Sequence, residues 1–108
     1  MPARGRYSDA TLTTLFLDML AAERGAAPNT LSAYRRDLVD LSAALRAAHT
    51  DIATATTANL RTYLAGLDAQ ALKAATVARR LSAIRQLYRF LYGEGLRRDD
   101  PAVVLSGP

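Results

Sequence analysis

Hydrophobic residues return at steps of three and four along most of this chain, and most such stretches are closed by a glycine, a proline or a cluster of threonines. From Asp9 to Arg24, the residues Leu12, Leu15, Phe16, Met19 and Leu20 keep helical spacing, with Ser8 or Asp9 placed as N-cap and Gly25 just past the end. This predicts a first helix, and Ala26-Ala27-Pro28 breaks it, because proline cannot continue a helix and biases its predecessor toward extended backbone. Asn29 or Thr30 then stands where a second helix needs a cap. Leu31, Tyr34, Leu38, Leu41 and Leu45 make one apolar stripe along that helix, with Arg35, Arg36, Asp37 and Asp40 off it. Thr54, Thr56 and Thr57 interrupt the pattern, and Leu60, Tyr63, Leu64 and Leu67 predict a shorter third helix ending near Asp68. A fourth runs from about Ala74 to Thr76 as far as about Tyr92, with Val77, Leu81, Ile84, Tyr88 and Leu91 inward and Gly93 and Gly95 stopping it. Asp100 before Pro101 has the form of an N-cap and first helical proline, so a short fifth helix is expected through Ala102, Val103, Val104 and Leu105. Ser106-Gly107-Pro108 reads as the start of a linker. No segment alternates with period two and no repeat is present, so the expected fold class is all-α.

Composition narrows the function more than the fold. A chain of 108 residues, half of them hydrophobic, has the size and apolar content for one packed domain. It holds no cysteine, which removes disulfides, thiolate zinc sites and thiol nucleophiles together. No apolar run approaches the roughly 18 residues of a membrane span, so a cytosolic protein without a membrane partner is expected. Charge becomes informative once divided along the chain. Residues 1–72 carry seven basic and seven acidic groups, whereas residues 73–98 carry Lys73, Arg79, Arg80, Arg85, Arg89, Arg97 and Arg98 against Glu94 alone, a local +6. A local excess dominated by arginine suits a surface that meets phosphate and guanine.

Chemistry of the bond-breaking kind finds no support. The single histidine, His49, has no partner at ligand spacing and reads as a surface residue at the end of the second helix. The glycines stand singly at helix ends, not in a phosphate loop. Tyr34, Tyr63 and Tyr88 fall on apolar faces and read as core. No metal or cofactor is expected. On the fourth helix, Arg79, Ser82, Gln86 and Arg89 gather opposite the apolar face, which points to a helix laid in a major groove, its arginines on phosphates and Ser82 and Gln86 reaching base edges. Arg79 is then a solvent-facing contact whose replacement by alanine should spare the fold. Asn29, Thr30, Arg35 and Arg36 cluster at the start of the second helix, where free amides and the helix dipole also favour phosphate.

The ordered motifs resemble a known family. Pro28-Asn29-Thr30-Leu31-Ser32-Ala33-Tyr34-Arg35-Arg36-Asp37-Leu38 is similar to the helix-two signature of the Xer and phage-integrase tyrosine recombinases, and the run from Arg79 to Tyr92 is similar to their fourth helix. Asp99-Asp100-Pro101-Ala102 resembles the turn that ends their core-binding domain. The resemblance implies a four-helix SAM-like core-binding bundle with a short fifth helix over residues 1–108, the catalytic domain being absent and strand cleavage with it. It implies double-stranded DNA as the partner, gripped at a recombination half-site by helices two and four. In the full-length protein it implies other protomers in a tetramer, meeting through helices one and five, with chromosome dimer resolution as the process served. The candidate DNA contacts are Thr30, Arg35, Arg36, Lys73, Thr76, Arg79, Arg80, Ser82, Arg85 and Gln86. Two rival readings stand beside it. One is a helical protein–protein interaction module, motivated by the apolar tail Val103-Val104-Leu105. The other is a helix-turn-helix DNA-binding regulator, which the glycine-free stretch from Asp68 to Ala75 fits poorly.

Overall fold

Ser8 opens the first helix of the computed structural model, its hydroxyl oxygen accepting the Thr11 amide, one of the donors that a helix start leaves unpaired. Gly25 closes that helix in the left-handed region, at φ 60°, where its amide turns back to the Leu20 carbonyl. Helix α1 is therefore Asp9–Arg24. Helix α2, Pro28–Ala47, starts on proline itself, whose fixed φ and missing amide suit a first helical position. Neither Asn29 nor Thr30 caps it, since the cap position is Ala27, which has no side-chain acceptor. Helix α3, Thr57–Ala69, begins with a reciprocal cap in which Thr56 accepts the Asn59 amide and Asn59 accepts the Thr56 amide. Helix α4 is Ala74–Gly93, and the described residues run from 7 to 105. The linker start at Ser106-Gly107-Pro108 lies outside them.

Helix α2 packs against every other helix, and α4 closes the bundle against α1, α2 and α3. Leu12, Phe16 and Leu20 of α1, Leu38, Leu41 and Leu45 of α2, Leu60 and Leu67 of α3, and Leu81, Ile84, Leu87, Tyr88 and Leu91 of α4 form one core. Leu17 belongs to it and Leu15 does not, because the buried face of α1 is rotated slightly from the expected stripe. Tyr34 and Leu31 are only half-buried and rim the core, while His49 is exposed, as expected, at the end of α2.

The connection from α2 to α3 adds Ile52 and Ala55 to the core, and its backbone is tied down by side chains from three directions. Asp9 accepts the Ile52 amide at 2.9 Å and the Ser42 hydroxyl at 2.6 Å. Tyr88 and Arg97 both donate to the Ile52 carbonyl, at 2.9 and 3.0 Å. Arg97 lies over the Tyr88 ring, 5.2 Å from its centroid, and grips Asp99 through two nitrogens. Burial is the main force raising the Tyr88 phenol above the ordinary tyrosine value. Tyr88→Phe removes one of the two donors while Arg97 still satisfies the carbonyl, so it is expected to lose about 1 kcal/mol in urea unfolding. No measurable change would show that the hydroxyl contributes nothing there.

The expected fifth helix is absent. Residues 101–104 form a turn: Asp100 accepts the Ala102 amide through its side chain and the Val103 amide through its carbonyl, and Leu105 bonds back to Ala102. These bonds close at the tight spacing of isolated turns, and four residues are too few to repay helix nucleation. Ala102 and Leu105 are drawn into the core instead, leaving Val103 and Val104 exposed.

Candidate nucleic-acid interface

Helices α2 and α4 lie side by side, and the sequence puts polar residues where they meet. The result is an internal lock as well as a surface. Asp37 is 2% exposed and receives two hydrogen bonds from Arg79, Nε to Oδ2 at 2.8 Å and Nη2 to Oδ1 at 2.9 Å. This is the bidentate fork that suits guanidinium to carboxylate, and the Asp37 hydrogen bond is the main cause holding Arg79 above its ordinary pKa. Arg80 sits beside it, with Nη1 2.6 Å from Asp40 Oδ2 and 3.1 Å from the Tyr63 hydroxyl. Its Nε is buried without a hydrogen bond, because Asp37 Oδ1 at 3.5 Å is within ionic reach but beyond a good hydrogen bond. Burial lowers the Arg80 guanidinium, but Tyr63, Asp40 and Asp37 outweigh it and its pKa is raised. Tyr63 donates to Asp40 at 2.6 Å, and burial followed by that hydrogen bond raises its phenol, the opposite of what a nucleophile needs.

Two of the predicted contacts, Arg79 and Arg80, are thus turned onto α2 and α3, and Asp37 is buried where a polar, outward position was expected. Arg97 of the same basic segment is spent on Asp99. Ser82 and Gln86 are half-buried and face Tyr34: Gln86 Nε2 donates to the Tyr34 oxygen at 3.1 Å and to Ser82 at 2.9 Å. Gln86 Oε1 accepts from Arg24 of α1 at 3.2 Å, a contact the pattern of α4 alone gave no means to find.

The remaining candidates are open. Thr30 is exposed in the first turn of α2, while Lys73 precedes α4 and Thr76 lies half-buried in its first turn. Arg36 and Arg85 are exposed and, among the described residues, make no ion pair; Arg89 on α4 and Lys73 share that property. Arg35 is exposed but leans toward α1, 3.5 Å from the Thr14 hydroxyl. Among the described residues no group of three histidine, cysteine or carboxylate side chains is placed to hold a metal, and no helix is long and apolar enough to cross a membrane.

Comparison with known proteins bears on this arrangement. Residues 13–95 match the family described as phage integrase, N-terminal SAM-like domain. The chain is 61% identical over 105 residues, 97% of its length, to the tyrosine recombinase XerD of Bradyrhizobium diazoefficiens, and 52% identical over 99 residues, 92% of its length, to that of Rhizobium meliloti. To the XerD of Agrobacterium fabrum it is 49% identical over 107 residues, 99% of its length. These alignments take in 33%, 32% and 32% of the relatives, so the chain spans about a third of the length of the proteins it matches. With four helices in the expected order and a match extending over most of them, the chain belongs to the family of phage-integrase N-terminal SAM-like domains.

Proposed function

We propose that this chain is the core-binding domain of a Xer-type tyrosine recombinase and grips duplex DNA with α2 and α4. The observation that carries the reading is the set of exposed cations Arg36 on α2, Arg85 and Arg89 on α4 and Lys73 just before α4, which make no ion pair among the described residues, in a member of this family. Cations of this kind neutralise phosphates and set the register of a helix in a groove. Thr30 and Thr76, in the first turns of α2 and α4, add hydroxyl donors near amides that no side chain caps. Ser82 and Gln86 lie between the two helices and order the polar groups of this face, Gln86 donating to Tyr34 and Ser82. Arg35 contributes from the α1 side, while Arg79 and Arg80 serve the grip by holding α2 against α4.

In this reading residues 1–108 form one domain that works beside a catalytic domain, in the cytoplasm, on recombination half-sites that serve chromosome dimer resolution. Other protomers of the recombinase are its protein partners. The test is a salt titration of the chain's binding to a duplex carrying a Xer-type half-site, beside a scrambled duplex of equal length. Tighter binding to the half-site is expected, with log K falling against log salt at a slope of about −4 if each of the four cations meets one phosphate. Binding that ignores salt, or no binding to either duplex, overturns the reading.

A further inference from the structure

The face next to the α2 and α4 grip has a contributor from α1. Arg24 is the last residue of α1, and the left-handed turn at Gly25 fixes its backbone. Its side chain is exposed, makes no ion pair among the described residues, and hydrogen-bonds through Nη1 to the Gln86 amide oxygen at 3.2 Å. Gln86 is itself held at its other end, where Nε2 donates to Tyr34 and Ser82. Beneath this relay Phe16 of α1 stacks on Tyr34 at a centroid distance of 6.5 Å and packs against Phe90 of α4 at 5.9 Å. Residues of α1, α2 and α4 therefore hold a chain of polar groups that ends on the exposed Arg24 guanidinium.

An amide occupied at both ends is a poor reader of adenine, which needs its oxygen and nitrogen together. Gln86 is better suited to aim a neighbour. The Arg24 guanidinium uses one N–H on Gln86 and keeps the others, enough for a two-point contact with the O6 and N7 of a guanine. We propose that Arg24 is a sequence-reading contact of this domain, directed at a guanine edge and positioned by Gln86, Tyr34 and Ser82. The inference rests on the reading of the chain as a DNA grip, and it adds to that grip a residue outside the α2 and α4 motifs.

The experiment selects preferred sequences for the full chain from a randomised duplex pool, then repeats the selection with Arg24→Ala and Arg24→Lys. The expected result is a guanine at one position for the parent chain, with its preference reduced roughly tenfold or more in both variants and the other positions retained. Lysine keeps the charge but not the planar fork, so Arg24→Lys should retain the salt slope while Arg24→Ala lowers it by about one. A lysine variant that keeps the guanine preference, or an alanine variant that selects the same sequence as the parent, overturns the proposal and leaves the DNA grip in place. A parent chain that binds duplex without selecting any sequence likewise overturns the Arg24 proposal alone, whereas failure of the parent chain to bind overturns the grip itself. Thermal melting of both variants serves as the control, and no drop is expected from an exposed residue at a helix end.

Discussion

Replacing Asp37 by alanine is expected to destabilise the chain by about 3 kcal/mol, because it leaves two guanidinium groups without the carboxylate around which α2 and α4 are assembled. The magnitude follows from asymmetry of burial. Asp37 is 2% exposed and Arg80 19%, whereas Arg79 at 40% can turn to water once released. The loss therefore centres on Arg80, whose Nε has no hydrogen bond to begin with and whose nearest anion after the change is Asp40. The reverse truncation, Arg79→Ala, leaves a buried carboxylate with only Arg80 Nε at 3.5 Å, so it too should lower stability, by about 2 kcal/mol or more. That outcome replaces the expectation that Arg79 faces solvent and can be removed at no cost to the fold. Denaturant unfolding of both single variants and the double gives the coupling directly. If the double variant loses no less than the sum of the singles, Asp37 and Arg79 do not act as a pair.

What the sequence reveals of this protein is what local chemistry decides. Ser8, Gly25 and Thr56 mark helix ends whose partners lie within a turn or so of themselves, and the four helices stand close to where the apolar spacing puts them. Asp37 shows the limit. Helical spacing places it at the margin of the apolar stripe, and whether a margin is wet or buried depends on what a neighbouring helix presents. Here that is Arg79, 42 residues further on. The same limit explains Arg97, which a charge count treats as free and the fold buries between Tyr88, Ile52 and Asp99. Ile52 and Ala55 were not legible as core because they lie in a connection, where no period carries the signal. At the candidate interface, spacing identified the helices and most of the open cations. It did not separate Arg36 and Arg85, which make no ion pair among the described residues, from Arg79 and Arg80, which α2 and α3 have already claimed.

Leu38→Ala should have a comparable effect through packing alone. Leu38 is fully buried at the middle of α2, a helix that touches all three others, so the space left by its isobutyl group is bounded on several sides and cannot close by the shift of a single element. Truncations of this kind cost roughly 2–5 kcal/mol, and this site belongs to the upper part of that range, at about 4 kcal/mol. Leu81, 6% exposed two turns into α4, has a neighbourhood that can relax toward solvent, and its alanine variant is expected to lose about 2–3 kcal/mol. For a domain near 100 residues each kcal/mol shifts the melting temperature by roughly 4–8 °C, so the Leu38 variant should melt at least about 15 °C below the parent chain. Equal losses at the two sites would mean that α4 is as tightly enclosed at Leu81 as α2 is at Leu38. Neither change touches Arg24, Arg36, Arg85 or Arg89, so below its own melting transition each variant should bind the half-site duplex with the parent's salt slope. A slope that falls in step with stability would show that the cationic face depends on core packing more than on the ionic lock between α2 and α4.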